Sequence, residues 1–213
     1  MARRALIYDD LYRLREASDP RLSPDAAKVA FVITQPDRES DENRSSIWTV
    51  GVAGSQAVRL TQGTADTHPR WSPDGRALAF LRRGSDGVAQ VFVLPAGGGE
   101  ARQLTGLALG VGGFAWSPDS SRLAVVAPVD IEGAPEDPQE KERRAHAPVV
   151  IRTAGFKADG IGLIGSKRAH LHAVDAGSGD AQQLTKNDFN VSAPAWSPDG
   201  KRIAFAGSGA DRD

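Results

Sequence analysis

The chain has 213 residues, 40% of them hydrophobic and 25% charged, the make-up of an ordinary globular protein of one or two domains. Its 26 basic and 27 acidic residues nearly cancel, so the charge balance points to neither a nucleic acid nor a membrane surface as partner. Cysteine is absent, which excludes disulfides, thiolate ligands and a cysteine nucleophile, and no segment is apolar for long enough to span a bilayer.

At the N-terminus Arg3 and Arg4 precede Leu6-Ile7-Tyr8, which runs directly into Asp9-Asp10 without the apolar stretch of a signal peptide. The expectation is a soluble, cytoplasmic chain. Leu6, Ile7, Leu11 and Leu14 fall at roughly helical spacing, so residues 1–18 read as an N-terminal arm, either a short amphipathic helix or an ordered segment packed on the first repeat. Ser18-Asp19-Pro20 is expected to break it.

From there the chain repeats itself. Leu22-Ser23-Pro24-Asp25-Ala26 returns as Trp71-Ser72-Pro73-Asp74-Gly75, as Trp116-Ser117-Pro118-Asp119-Ser120 and as Trp196-Ser197-Pro198-Asp199-Gly200. Proline fixes φ, the serine and aspartate side chains bond nearby backbone N–H groups, and glycine accepts a left-handed conformation, so each stretch is a tight turn. A short apolar run comes after each one: Val29 to Val32, Ala77 to Leu81, Leu123 to Val126 and Ile203 to Phe205. Runs of that length between turn signals read as buried strands.

The first unit, about 19–63, adds a polar loop from Gln35 to Ser45, a strand Ile47 to Val50, a Gly54-Ser55 turn and a last strand ending in Leu60-Thr61. The second, about 64–106, copies it with Gln90 to Leu94, Gly97-Gly98-Gly99 and a last strand ending in Leu104-Thr105. The third, about 107–186, ends in Leu184-Thr185 but is too long, because Ser197 follows Ser117 by 80 residues whereas Ser117 follows Ser72 by 45. Leu171 to Asp175 and Gly177-Ser178-Gly179 match the third strand and its turn, which puts an insertion, 128–169, between the second and third strands. Val129 to Pro148 reads as a solvated, charged excursion, Val149 to Arg152 as a strand and Gly155 to Gly165 as an extra hairpin. The fourth unit, 187–213, delivers the strand Ile203-Ala204-Phe205, stops after Ser208-Gly209-Ala210-Asp211 and reads as half a blade.

Four short strands in each unit of about 45 residues are the signature of a β-propeller blade. The expected fold class is all-β: an incomplete β-propeller of three and a half four-stranded antiparallel blades behind a short helix or arm. Such an arc leaves edge strands and apolar blade faces open, so the chain is not expected to be stable as a lone monomer, and self-association through those edges would cover them.

The four Ser-Pro-Asp turns, the Leu-Thr endings and the opening Asp10-Leu11-Tyr12-Arg13-Leu14 with Ser18-Asp19-Pro20 resemble the N-terminal propeller of the prolyl oligopeptidase family of serine peptidases. Lys157 to Gly162 and Arg168 to Asp175 are similar to third-blade segments of its bacterial acylaminoacyl-peptidase-like branch. The resemblance implies an α/β-hydrolase domain with a Ser-Asp-His triad as partner, short peptides as ligands, and a propeller that restricts access to the triad. No Gly-x-Ser-x-Gly elbow occurs in the 213 residues, so no catalytic residue is assigned here. The other reading is a TolB-like propeller, a non-enzymatic scaffold for protein interactions, since such propellers share the turn motif.

No cofactor is expected. His170 and His172 alternate along a strand and share a side, but no third ligand is in view, so they read as ordinary surface or interface histidines rather than a metal site. His68 and His146 are isolated, and Gly110-Val111-Gly112-Gly113 leads into a strand rather than the helix a dinucleotide loop needs. Antiparallel blades put the Ser-Pro-Asp turns on one face, and on the other the loops after the second and fourth strands, the insertion included. That second face is expected to meet the hydrolase or the substrate. Arg152, at the head of the insertion's inner hairpin, is the candidate substrate-binding residue, able to bind a peptide carboxylate or carbonyl; a structural salt bridge is the competing reading.

Overall fold

Each Ser-Pro-Asp stretch reverses the chain between two strands, as its residue types require, and the apolar runs beside it form the buried middle of a sheet. The computed structural model describes residues 4–5, 7–133, 165–186 and 188–209, and within 134–164 only residues 139, 142, 143, 146, 157, 158, 162 and 163. Blade 1 is the antiparallel sheet β1 (Glu16–Leu22), β2 (Lys28–Asp37), β3 (Glu42–Gly51) and β4 (Val58–Arg59), in that spatial order. Blade 2 repeats it with β5 (Asp66–Trp71), β6 (Ala77–Arg83), β7 (Ala89–Pro95) and β8 (Arg102–Gln103). In blade 3, β9 (Gly113–Trp116) and β10 (Arg122–Asp130) come before the insertion, which contributes a small ladder of β11 (Lys157–Ala158) with β12 (Gly162–Leu163). The blade resumes with β13 (Lys167–Asp175), paired along the whole of β10, and β14 (Ala181–Gln183). Finally β15 (Phe189–Trp196) and β16 (Ile203–Gly209) pair as half a blade. The all-β partial propeller and the insertion's hairpin are therefore observed, while the strand expected at Val149 to Arg152 lies outside the described residues.

The core lies between blades. Leu78 and Phe80 of blade 2 pack with Ala30 and Ile47 of blade 1. Ala79 and Leu81, on the other face of β6, pack with Phe114, Leu123 and Val125 of blade 3. Ala124, Val126 and Leu171 then meet Val191 of the half blade. Both sides of each central strand are thus apolar, and each fully buried Leu, Ile or Phe contributes about 1.5–3 kcal/mol. At the ends of the arc the matching faces are bare: Leu22 is 56% exposed and Phe205 is 40% exposed.

Three repeated devices hold this together. In every turn the serine hydroxyl donates to the aspartate two residues on, for instance Ser72 Oγ to Asp74 Oδ1 at 2.6 Å, while accepting from the first N–H of the next strand, Ala77 at 2.9 Å. The fourth turn position is left-handed, with φ of 72° at Gly75 and 67° at Gly200, and Ala26 and Ser120 adopt it as well. The Leu-Thr endings have an equally specific task. The threonine Oγ1 accepts the N–H of a third-strand residue: Ile47 to Thr61, Val91 to Thr105 and Leu171 to Thr185. The tryptophan that opens each Trp-Ser-Pro-Asp stretch hooks the blade before it. The indole N–H of Trp71 donates to Arg21 O, that of Trp116 to Arg70 O and that of Trp196 to Ala115 O, at 3.1, 3.1 and 3.2 Å.

The N-terminal arm is a short ordered segment on the first repeat, as expected, but its leucines do not make the contact. It forms a 3-10 helix, Tyr8–Arg13, that buries none of its residues, and Leu11 and Leu14 stay exposed. Polar contacts fasten it instead: Arg38 to Asp9 at 3.0 Å and Gln35 Nε2 to Tyr12 O at 2.8 Å. Ser18-Asp19-Pro20 does not end the helix, which stops at Arg13; it forms a bulge inside β1, where Asp19 takes a φ of 47°. Aspartate tolerates that conformation better than most side chains.

Candidate functional site

The strand order puts the β2–β3 loop, the points where the insertion leaves β10 and rejoins β13, and the connectors between blades at one end of the sheets, opposite the Ser-Pro-Asp turns. Arg152 lies outside the described residues. Among the described charged groups on the inner strands and on this loop face, two clusters matter for a site, and sequence patterns single out neither.

The first lies on the innermost strands. The bulge of β1 has a counterpart in β5, where His68 takes a φ of 58°, and another in β15 at Ala193. Asp19, His68 and Ala193 all sit three residues before the Trp-Ser-Pro-Asp position. The Asp19 carboxylate accepts from Arg21 at 2.7 Å and from Arg70 at 2.8 Å. Arg70 Nη2 also donates to His68 Nδ1 at 3.2 Å, and the His68 ring lies edge-on to Phe114 of blade 3. Because arginine only donates, Nδ1 is the acceptor and His68 is neutral with its proton on Nε2. Burial, and then the Arg70 charge, hold its pKa below the ordinary histidine value. Two guanidinium groups on one carboxylate leave this rim with a surplus positive charge, and the chain Asp19–Arg70–His68 ties blades 1, 2 and 3.

The second cluster is on blade 2. Arg82 donates to Asp66 through Nε at 2.7 Å and Nη2 at 2.9 Å, a two-point pair, and Asp66 is wholly buried. The guanidinium also lies against the stacked rings of Phe80 and Phe92, 5.2 and 5.0 Å from their centres. Arg82 opens onto a cleft of roughly 340 Å³ between the 84–88 loop and the 106–108 connector. In the sequence Arg82 merely follows the apolar run Ala77 to Leu81, which does not mark it as part of a site.

His170 and His172 are not surface residues. Both are buried in β13, on the side that carries Val174 into the core between blades 2 and 3, and burial lowers the pKa of each. Thr185 Oγ1 already accepts the Leu171 N–H, so its hydroxyl proton is free to donate to His170 Nδ1, 3.1 Å away. Among the described residues no group of three His, Cys, Asp or Glu is placed to hold a metal ion.

No protein-family model matches the chain. An uncharacterized peptidase of Bacillus subtilis is 34% identical over 206 residues, which are 96% of this chain and 31% of that protein. An acylaminoacyl peptidase solved with Z-Gly-Gly-Phe-chloromethyl ketone superposes with a TM-score of 0.71 at 22% identity, over 91% of this chain and 28% of that one. The shared fold is a β-propeller. The chain spans under a third of the length of either relative. A TolB protein of Agrobacterium tumefaciens shares the propeller, with a TM-score of 0.60 at 17% identity over 92% of this chain and 56% of that one.

Proposed function

We propose that this chain is the non-catalytic propeller portion of a serine peptidase of the acylaminoacyl-peptidase type, and that it limits peptide access to an α/β-hydrolase domain of the same protein. The observation that carries this reading is the 34% identity to a peptidase across 96% of the chain. The sequence supports it by what it holds, turns, blade endings and inter-blade hooks, with no nucleophile elbow among its 213 residues. A rigid arc of blades passes an extended peptide and rejects a folded chain by size, and its loop face, with the third-blade insertion, is the side that would meet the hydrolase. Arg152 belongs to that insertion, and a contact with the peptide carbonyl or carboxylate is the role proposed for it.

The test is hydrolysis of an N-acyl peptide p-nitroanilide by the protein that the whole gene encodes. Hydrolysis by that protein and none by residues 1–213 alone is the expected result. In the same protein Arg152→Ala should raise KM for peptides, and unchanged peptide kinetics would remove Arg152 from the site. A gene that continues into further blades and a stop, with no Gly-x-Ser-x-Gly, would overturn the peptidase reading in favour of a TolB-like scaffold.

A further inference from the structure

Blade 2 departs from its own repeat at one crossing. The register pair Asp66 and Arg82 takes the place of Ala17 and Ile33 in blade 1 and of Val191 and Gly207 in the half blade. Apolar pairs therefore build the same crossing, and a buried ion pair at best breaks even against one. Yet the Asp66 carboxylate is sealed in: a Cβ on the connector's Gly63 would fall directly on its oxygens. It takes one N–H each from Nε and Nη2 of Arg82, so the donors left for a ligand are the two on Nη1 and the second on Nη2.

Arg82 opens onto the cleft beside the 84–88 loop, whose volume falls in the lower range of small-ligand sites. Phe92, Val88 and Leu107 give it apolar walls. Gln103 uses Nε2 on Thr105 O and leaves its Oε1 as an acceptor. Gln90, hydrogen-bonded to both the N–H and the carbonyl of Leu107, fixes the connector that forms one lip. On the other lip Asp86 accepts the Val88 N–H.

A guanidinium donor, an amide acceptor and an apolar wall complement one peptide unit, with its carbonyl, its N–H and a hydrophobic side chain. Two carboxylates, Asp66 and Asp86, stand against the single guanidinium and disfavour a free carboxylate. We propose that this cleft binds an uncharged peptide unit bearing an apolar side chain. Its basis is the cleft and its charges, and it does not require the peptidase reading.

The test is calorimetric titration of the full-length protein with N-acetyl-phenylalaninamide, after treatment with a fluorophosphonate that blocks any reactive serine. Removing Arg82 would strand Asp66, so the variant is Ala108→Trp, an exposed position where the indole fills the cleft. Saturable binding, weakened about tenfold or more by Ala108→Trp, is expected, with N-acetyl-phenylalanine as the free acid binding less tightly than the amide. Binding unaltered by Ala108→Trp, tighter binding of the acid, or no saturation would each overturn the proposal. Failure of the fluorophosphonate to label any serine would count against the peptidase reading and leave the titration intact.

Discussion

Replacing Asp66 by Val gives blade 2 the residue that the half blade carries at the same register position, Val191, and it leaves the Arg82 guanidinium without its counter-charge. Removing one partner of a buried pair costs about 3–5 kcal/mol. Here 27% of the Arg82 side chain reaches solvent, so part of the charge can be rehydrated and the expected loss is about 2–3 kcal/mol. The double change Asp66→Val with Arg82→Ile also supplies blade 1's residue, Ile33, and removes both charges together with the Arg–Phe contacts. It should unfold within about 1 kcal/mol of the wild type, because the crossing is then apolar as in its sister blades. Urea unfolding followed by tryptophan fluorescence reads both variants. A double variant as unstable as Asp66→Val alone would refute the reasoning, since the ion pair would then be needed by the fold itself and would no longer point to a ligand in the cleft.

Thr105→Val keeps the shape of a residue only 2% exposed but removes the acceptor of the Val91 N–H; it should cost about 1–3 kcal/mol by chemical denaturation, whereas Thr105→Ser, which keeps the hydroxyl, should cost less. Trp116→Phe deletes the hook on Arg70 O and should destabilise by about 0.5–1.5 kcal/mol beyond lost packing, which unfolding midpoints will show. The Ser117 hydroxyl and then the Ser121 N–H hold Asp119 down to about 2, below its ordinary value of 3.8. A carboxylate depressed in the folded state stabilises above its unfolded value and loses that contribution as pH falls toward the folded one. Asp119→Asn should therefore flatten the fall of the melting temperature between pH 4 and pH 2, about the interval separating those two values; an unchanged slope would show that the turn carboxylate does not matter. For His68, an NMR signature of an N–H at Nε2 and a bare Nδ1 is expected at neutral pH, and the opposite tautomer would contradict the Arg70 contact.

The fold is legible in the sequence because its signals are local and repeated. A Ser-Pro-Asp turn needs only six or so residues to close its hydrogen bonds, so its sequence declares it, and the Leu-Thr endings mark where each outer strand locks to the third. The arm is harder. Its spacing of Leu and Ile predicts an apolar face, but whether that face finds a surface depends on what lies across from it, and in the structure Asp9 and Tyr12 make the contacts instead. The Asp19 bulge looks like a helix breaker for a related reason: Ser-Asp-Pro favours irregular backbone in either setting, and only the pairing with Arg70, 51 residues away, decides which. His170 and His172 are expected at a surface or an interface, and it is the neighbouring blade that decides for the interface. The Asp66–Arg82 pair is visible in the sequence as two charged residues and not as a site, since its meaning lies in the cross-strand register that places one opposite the other.

The tryptophan hooks all point the same way. Each reaches to the blade already behind it in the chain, and blade 1, which has Leu22 at that position, has none to give. As the polypeptide leaves the ribosome, every new blade therefore finds its anchor finished before its own hook appears, and the arc can be laid down one blade at a time without waiting for later sequence. A circularly permuted chain that makes blade 3 before blade 2 would hold an unanswered indole until the missing neighbour arrives. Its folding should slow at that step although its final contacts are the same.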